Sequence, residues 1–215
     1  MNFCGQSVES VFREYERRAG AERLAMATMA PGEGMSRRDE FLLPVGRDAA
    51  WFLHSLVVAR KPSIVLELGT SYGYSTLFLA DAVAQCDGRL VTMENADYKQ
   101  VYARDMIAKA GLSDRVEFRL GDAVTMIGEQ AGPFDLVLLD IWKELYVPCF
   151  EAFYPKLSDE AIIAADNMIE PEIARPDVRE YRAALQAKHD LQTTLLPIGS
   201  GIELTCKWPS NSDKL

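Results

Sequence analysis

Apolar and polar positions along this chain follow a helical period first and a strand period later. Residues 8–29 are rich in Glu, Arg, Ala and Leu and lack proline, which predicts a helix ended by the Pro-Gly-Glu-Gly at residues 31–34. A second helix is predicted over residues 47–59, where Lys61-Pro62 stops it. Its predicted core face consists of Trp51, Phe52, Leu56 and Val57.

From residue 64 onward, short apolar runs alternate with helical patterns. The predicted strands cover residues 64–68, 90–94, 116–120, 134–140 and 161–166, and the predicted helices cover residues 75–84, 97–110, 123–129, 147–154 and 177–188. Such βαβ units predict an α/β fold with a doubly wound, mostly parallel sheet. Two last strands, 191–196 and 202–207, are joined by a connection too short for a crossover, so we expect a C-terminal antiparallel hairpin and seven strands in total.

Length and composition predict one globular domain. The 215 residues, of 24.0 kDa, can bury one substantial core, and no change in composition marks a boundary between two domains. We therefore expect one domain over residues 1–215, with a helical cap at 1–60 and a Rossmann-like core at 61–208.

Charge and targeting features narrow the classes of partner. A net charge of −9 and a pI near 4.8 argue against nucleic acid or an anionic membrane surface as the main partner. No apolar run approaches the roughly 20 residues of a membrane span, and residues 1–10 lack the apolar stretch of a secretory signal, so we expect a cytoplasmic protein. The four cysteines are scattered without a C-x-x-C pair, which favours reduced, structural thiols, and His54 and His189 are interpreted as structural.

Polar donors follow two predicted strands at the point where each ends. Asp140 closes the strand at 134–140, and Asp166 and Asn167 close the strand at 161–166. Ligands of open α/β sheets collect beyond the carboxyl ends of the strands, so these oxygen donors can converge on one hard cation, Mg²⁺ above all. Trp142 and Lys143 come directly after Asp140. The pattern predicts a reaction centre at this edge.

A second set of residues predicts a nucleoside site at the same edge. The first strand leads into residues 67–75, Glu-Leu-Gly-Thr-Ser-Tyr-Gly-Tyr-Ser, where Gly69 and Gly73 allow a tight turn and close approach of a ligand. Three residues separate these glycines, which is the wrong spacing for a dinucleotide fingerprint. Glu94 ends the second strand, where an acidic residue typically binds ribose hydroxyls, and Asp122 follows the third strand at a height that suits an adenine edge.

Several of these motifs stand in the order found in a known family. Residues 140–143 (Asp-Ile-Trp-Lys), Tyr146 with Pro148, residues 165–167 (Ala-Asp-Asn) with Pro171, and residues 201–203 (Gly-Ile-Glu) resemble the catechol O-methyltransferase family of class I, S-adenosylmethionine-dependent methyltransferases. The resemblance covers about residues 41–207. It implies Mg²⁺ or another divalent cation on Asp140, Asp166 and Asn167, Lys143 as catalytic base, and Glu203 as the residue that holds the second substrate hydroxyl.

The resemblance also implies cofactor and substrate positions. The S-adenosylmethionine positions are Leu43, Val45, Glu67, Gly69, Ser71, Tyr72, Gly73, Ser75, Glu94, Asn95, Asp122, Ala123, Asp140 and Trp142. The substrate positions are Phe41, Trp142, Lys143, Asn167, Pro171 and Glu203. Phe41, Leu43 and Ile141 replace a Trp, a Met and a His of the animal enzymes, so we expect an altered substrate shape with the chemistry retained.

These residues together predict a Mg²⁺-dependent O-methyltransferase acting on a catechol-like aromatic vicinal diol. Each has an ordinary structural explanation when taken alone: Asp140 as a turn or cap, Lys143 as a surface charge, Trp142 as core, and Glu203 as an edge charge. Three other functions stay open: a tRNA hydroxyuridine O-methyltransferase of the same fold, which the acidic charge disfavours, a nicotinamide oxidoreductase, and a non-catalytic S-adenosylmethionine-binding protein. A homodimer is compatible with the sequence.

Overall fold

A seven-stranded sheet organises the chain in the computed structural model, which describes residues 3–30 and 32–209. Its strands are β1 (Ile64–Leu68), β2 (Arg89–Glu94), β3 (Val116–Leu120), β4 (Phe134–Leu139), β5 (Leu157–Ala165), β6 (Leu191–Leu196) and β7 (Ile202–Lys207). Their order across the sheet is β3-β2-β1-β4-β5-β7-β6. Strands β1 to β5 run parallel, and β7 pairs antiparallel with both β5 and β6. The predicted fold class is confirmed, including the C-terminal hairpin.

Helices cover both faces of this sheet. They are α1 (Gln6–Ala27), α2 (Glu33–Ser36), α3 (Arg47–Arg60), α4 (Tyr74–Ala84), α5 (Asp97–Ala110), α6 (Ala123–Glu129), α7 (Tyr146–Phe153) and α8 (Arg175–Gln186). One apolar cluster packs α1, α3, α4 and α5 on one face of the sheet, and a second packs α6, α7 and α8 on the other. None of the helices within the described residues is long and apolar enough to cross a membrane.

The structure corrects some of the expected elements. Strand β5 begins at Leu157, four residues before the expected start, because Phe134 already pairs with Leu157 across a register shift at the start of β4. The short helix α2 was not expected, and Pro31 of the predicted stop lies outside the described residues.

The inner face of α3 also differs from expectation. Ala49, Leu53 and Val57 are fully buried, at the four-residue spacing of a helix stripe, whereas Trp51 and Phe52 are only half-buried at its margin. The small alanine, which carries little weight in a pattern of large apolar residues, lets α3 approach the core closely.

Helix α1 packs directly on the loop between β1 and α4. The hydroxyl of the fully buried Tyr15 donates to the carbonyl of Tyr72 at 2.7 Å. A Cβ atom on Gly73, whose φ is +88°, would lie 2.8 Å from both the Tyr15 hydroxyl and the Cβ of Ala103 on α5. Glycine is therefore required at this position by space as well as by backbone conformation.

Candidate active site

Asp140 and Asp166 lie at the carboxyl ends of neighbouring strands. Leu139 is paired with Ala165 across β4 and β5, so the residues that follow them leave the same edge of the sheet together. The backbone N–H of Asp140 donates to Leu68 at 2.9 Å, and that of Asp166 donates to Leu139 at 3.1 Å. These hydrogen bonds extend the pairing of the strands by one residue. They hold both aspartates at the carboxyl end of the sheet.

The carboxyl group of Asp166 has the features of a cation ligand. Its Oδ1 is buried and has no hydrogen-bond partner within the described residues. Burial, and then the nearby charge of Asp140, raise the pKa of Asp166 to about 8. A buried, partnerless carboxylate oxygen beside a second acid is costly, and a bound cation would remove that cost. Asn167 follows in the left-handed region, at φ 57°, and is half-buried.

The donor set is small for a protein-only metal site. Across residues 3–30 and 32–209, no group of three or more His, Cys, Asp or Glu side chains could hold a metal ion. The predicted set contains two acids and one amide, which suits Mg²⁺, because this ion usually keeps several waters and takes few protein ligands. Metal binding by Asp140, Asp166 and Asn167 stays a prediction that these donors fit.

Lys143 is held in a buried position beside this acid pair. Its Nζ lies 4.0 Å from Oδ1 of Asp140 and donates to the carbonyl of Ile141 at 3.1 Å. Burial is the main cause that lowers its pKa, and the charges of Asp140 and Asp166 oppose that effect. The side chain therefore does not have the environment of a surface lysine, and a neutral amine is accessible to it.

Tyr146 is a site residue for which sequence analysis predicted no role. Its hydroxyl lies within hydrogen-bond distance of the Lys143 amine. The same hydroxyl lies 2.9 Å from the carbonyl of Leu139 and 2.9 Å from that of Asp166. One buried phenol thus links the candidate base to the ends of β4 and β5. The spacing of three residues from Lys143, at the start of α7, was the available sequence clue.

The glycine loop after β1, residues 69–73, contacts the backbone of Asp140 through Gly69. A Cβ atom at Gly69, with φ +101°, would lie 2.0 Å from the Asp140 carbonyl, so only glycine fits there. The N–H of Gly69 donates to the carbonyl of Met93 near the end of β2 at 3.0 Å. The loop therefore spans the ends of β2, β1 and β4, which joins the two predicted halves of the site.

Glu94 and Asp122 lie at the ends of the next two strands. Oε2 of Glu94 accepts the N–H of Ser71 at 2.7 Å, and Oε1 accepts that of Asn95 at 2.9 Å. Asp122 caps α6, with its Oδ1 accepting the N–H of Thr125 at 2.8 Å, and Ala123 is the first residue of that helix. These hydrogen bonds fix both carboxylates at the cofactor edge and leave further lone pairs for a ligand.

The carboxyl group of Glu67 is engaged by side chains beneath the glycine loop. It is fully buried, and it accepts hydrogen bonds from the hydroxyls of Ser75, Thr76 and Thr92 at 2.6 to 2.7 Å. Burial raises its pKa to about 7, and the three hydroxyls act in the opposite direction. Glu67 and Ser75 therefore bind each other beneath the glycine loop, which supports the loop, and their contact with the cofactor stays a prediction.

Glu203 is likewise engaged within the protein. The residue is 2% exposed, with Oε2 accepting the Nε–H of Arg182 at 2.8 Å and Oε1 accepting the hydroxyl of Thr193 at 2.7 Å. Its strand alternation directs it under α8, where Arg182 covers it. Because Glu203 is almost fully buried and both of its oxygens already accept hydrogen bonds, we expect a structural role for it, and its contact with a substrate hydroxyl stays a prediction. The only sign of this partner in the sequence is that Arg182 is a charged residue in the last turns of α8.

The entrance to the site is bordered by the segment before α3. Phe41 and Val45 are buried, whereas Leu43 is 52% exposed. The hydroxyl of Tyr72, in the glycine loop, donates to the carbonyl of Asp39 at 2.8 Å. Trp142, 42% exposed, lies under the guanidinium of Arg38, with 4.2 Å between the Arg38 Cζ and the indole centroid. This segment thus contacts both the cofactor loop and the metal side.

Pro171 follows the second acid on a loop that the hairpin connection holds. The N–H groups of Met168 and Ile169 donate to the carbonyls of Gly201 and Ser200 at 3.0 and 2.9 Å. A Cβ atom on Gly201 would lie 2.4 Å from a carbon of Ile169, so this contact needs glycine. The loop is therefore fixed beside Asn167, where the substrate position of Pro171 stays a prediction.

Comparisons with known proteins point to one family. A family model described as O-methyltransferase matches residues 33–208. Catechol O-methyltransferase B of Danio rerio is 39% identical over 153 residues, which are 67% of this chain and 56% of that protein. Catechol O-methyltransferase of Niastella koreensis is 32% identical over 158 residues, 67% of this chain and 71% of that protein. The match thus spans just over half the length of the Danio rerio relative.

A solved structure agrees with the fold. The O-methyltransferase from Bacillus cereus, in complex with SAH, superposes with a TM-score of 0.73 at 25% sequence identity, covering 92% of this chain and 90% of that chain. The similarity therefore extends over the sheet, the helices on both faces and the terminal hairpin.

Proposed function

Because the chain belongs to the O-methyltransferase family over residues 33–208, we propose that it transfers the methyl group of S-adenosylmethionine to one hydroxyl of a catechol-like vicinal diol. The observation that carries this proposal is the largely buried amine of Lys143 beside Asp140, on the edge where an oxygen of Asp166 has no hydrogen-bond partner in the described part of the chain. The Danio rerio and Niastella koreensis relatives, both described as catechol O-methyltransferases, support the substrate class.

The methyl donor would lie over the glycine loop. The Bacillus cereus neighbour holds SAH, the product that remains when S-adenosylmethionine has given up its methyl group, which supports the cofactor. Glu94, fixed by Ser71 and Asn95, would accept the ribose hydroxyls, and Asp122 would lie near the adenine. Gly69 allows the ligand to approach the backbone beside Asp140.

Lys143 would remove the phenolic proton. A phenol with a pKa near ~10 is a poor nucleophile at neutral pH, so the reaction needs a base. A neutral amine has two N–H groups and one lone pair. The carbonyl of Ile141 and the hydroxyl of Tyr146 can accept those two N–H groups, which leaves the lone pair directed at a substrate hydroxyl. The lowered pKa of Lys143 makes this neutral form available.

Asp140, Asp166 and Asn167 would hold a divalent cation, with Mg²⁺ preferred for their oxygen donors. When bound, such a cation lowers the pKa of a coordinated hydroxyl and orients two adjacent oxygens. The carboxylates would also keep the ring oxygen in line with the donor methyl group, and such positioning can contribute as much as ~7 to 11 kcal/mol. The cytoplasmic location and the homodimer stay predictions.

The test is methyl transfer from labelled S-adenosylmethionine to a catechol and to its matched monophenol. We expect the catechol to have a much higher kcat/KM, since two adjacent oxygens are needed to use the site fully. Lys143→Met should lower the rate by about 10² to 10⁴, whereas Lys188→Met, at a surface ion pair with Glu151, should not. Equal turnover of the monophenol would refute the diol assignment and leave an O-methyltransferase of another acceptor.

A further inference from the structure

The Cζ atom of the Arg38 guanidinium lies over the exposed indole of Trp142, 4.2 Å from its centroid. Trp142 stands two residues after Asp140 and directly before Lys143, so this cation lies beside the candidate active site. A guanidinium stacked on an aromatic face keeps its N–H groups in its own plane, directed away from the ring. Those N–H groups remain available to an acceptor.

The charges around Arg38 are paired with other partners. Asp39 binds the amine of Lys99 at 2.7 Å, and Glu40 binds Arg37 at 2.7 Å. Within residues 3–30 and 32–209, no ion pair joins Arg38 to an acidic side chain. The adjacent acids therefore form no ion pair with Arg38, although they are the nearest candidates in sequence.

The backbone that carries Arg38 is anchored on both sides. The Tyr72 hydroxyl donates to the Asp39 carbonyl at 2.8 Å, and Arg18 donates to the Glu40 carbonyl at 3.4 Å. The backbone around Arg38 is therefore already ordered in the free protein, which lowers the entropic cost of binding an anion there. The protein carries a net charge of −9, so an anionic substrate would be disfavoured here without a local cation.

We propose that Arg38 determines substrate specificity by binding a carboxylate on the side chain of the aromatic diol. The inference rests on the proposed function, which it deepens by naming the substrate class. The two carboxylate oxygens accept the in-plane N–H groups of Arg38, while Trp142 supports its face and the diol lies toward Asp140 and Asp166. Phe41 and Leu43, which follow Arg38 in the same segment, border the ring between these two anchors.

A second explanation of the contact makes a different prediction. If Arg38 only closes the entrance against Trp142, its removal would slow all diols alike, whatever their charge. If it binds a carboxylate, its removal affects acids and spares neutral diols. The two explanations are separated by comparing substrates that differ only in charge.

The experiment measures kcat/KM for dihydroxyphenylpropanoate, its methyl ester and the corresponding primary amine. In the wild type we expect the acid to exceed the ester by about tenfold and the amine to be the poorest, as for one partly exposed charge-assisted contact. Arg38→Gln should bring the acid to the level of the ester and leave the ester within about twofold. Arg37→Gln, one position away and paired with Glu33 and Glu40, is the matched control and should keep the preference for the acid.

Two results would overturn the inference: a wild type without preference for the acid, or Arg38→Gln losing acid and ester equally. In both cases the ester is still methylated, so the proposed function stands. If none of the three diols is methylated, the proposed function itself has failed, and the inference fails with it.

Discussion

The hydroxyl of Tyr146 and the amine of Lys143 are hydrogen-bonded to each other beneath the candidate active site. The same hydroxyl lies 2.9 Å from the carbonyls of Leu139 and Asp166 and can donate its proton to them. Its remaining lone pairs are then directed at Lys143. This contact sets the position of the amine relative to the two strand ends that carry the acids.

Removing that hydroxyl should affect turnover more than cofactor binding. We expect Tyr146→Phe to lower kcat about tenfold with little change in the Kd for S-adenosylmethionine, because Lys143 loses a partner that orients it. The variant should also lose about 1 to 2 kcal/mol of unfolding free energy, the usual cost of a buried hydrogen bond. Denaturant unfolding and isothermal calorimetry measure these effects.

Tyr181→Phe is the matched control for this variant. The Tyr181 ring packs edge-to-face against that of Tyr146 at 5.3 Å between centroids, but its buried hydroxyl has no hydrogen-bond partner within the described residues. Deleting it should leave kcat unchanged and stability equal or higher. Equal losses of kcat in both variants would show that the effect is not specific to the Tyr146 hydroxyl.

Metal binding should stabilise the fold through Asp166. Its buried Oδ1 lacks a partner among the described residues, so a cation that occupies the site should raise Tm as Mg²⁺ is added, and EDTA should reverse the effect. Asp166→Asn should abolish this response, whereas Asp105→Asn, on the exposed side of α5, should keep it. An Mg²⁺-dependent Tm shift that persists in Asp166→Asn would place the ion elsewhere.

Glu67 should make the unfolding free energy depend on pH. Its pKa rises from 4.5 to about 7 on folding, chiefly through burial, so the folded state binds more protons than the unfolded state between these values. Stability is therefore highest below about pH 4.5 and falls as pH rises to about 7, by about 3 kcal/mol from this group. Denaturant unfolding at several pH values, compared with Glu67→Gln, isolates the effect.

In Glu67→Gln this part of the pH dependence should disappear, since the amide does not titrate. Glu129→Gln, at an exposed position of α6, should retain the wild-type profile. A wild-type profile in Glu67→Gln would mean that the carboxyl group is not buried as described.

Glu203→Gln should reduce stability and leave substrate selection unchanged. The side chain of Glu203 is 3% exposed and that of Arg182 is 34% exposed. Removal of the Glu203 charge therefore leaves a partly buried guanidinium without its acidic partner. We expect a loss of up to about 3 kcal/mol, reduced from the value for a fully buried pair because Arg182 is partly solvated. The ratio of catechol to monophenol turnover should not change. A changed ratio at constant stability would support the predicted contact of Glu203 with a substrate hydroxyl.

The sequence predicted the scaffold well because apolar periodicity and strand length follow directly from local residue order. Strands β1, β3, β6 and β7 begin and end where expected, and the family resemblance is confirmed. Side-chain partners were harder to predict. Glu67 and Glu203 both have the residue type of a ligand, yet each is satisfied by groups 8 to 25 positions away, which only the folded chain brings together.

The same limit explains why Tyr146 and Arg38 had no assigned roles. A tyrosine at the start of a helix is most often a core residue. The role of Tyr146 comes from its contacts with two carbonyls at different strand ends. The contact of Arg38 with Trp142 joins positions 38 and 142, which no local pattern relates. Long-range pairing, rather than residue type, defines the roles of both side chains.

The hydrogen bond from Tyr15 to the carbonyl of Tyr72 has a consequence for how this protein can be shortened. Helix α1 precedes the segment that matches the family, yet its Tyr15 fills the space against which Gly73 is packed. A fragment starting at residue 33 would retain all seven strands and every residue proposed to touch a ligand. It would nevertheless lack the helix that packs against the glycine loop. Removal of the N-terminal helix should therefore weaken the binding of a ligand that no residue of the helix is proposed to touch.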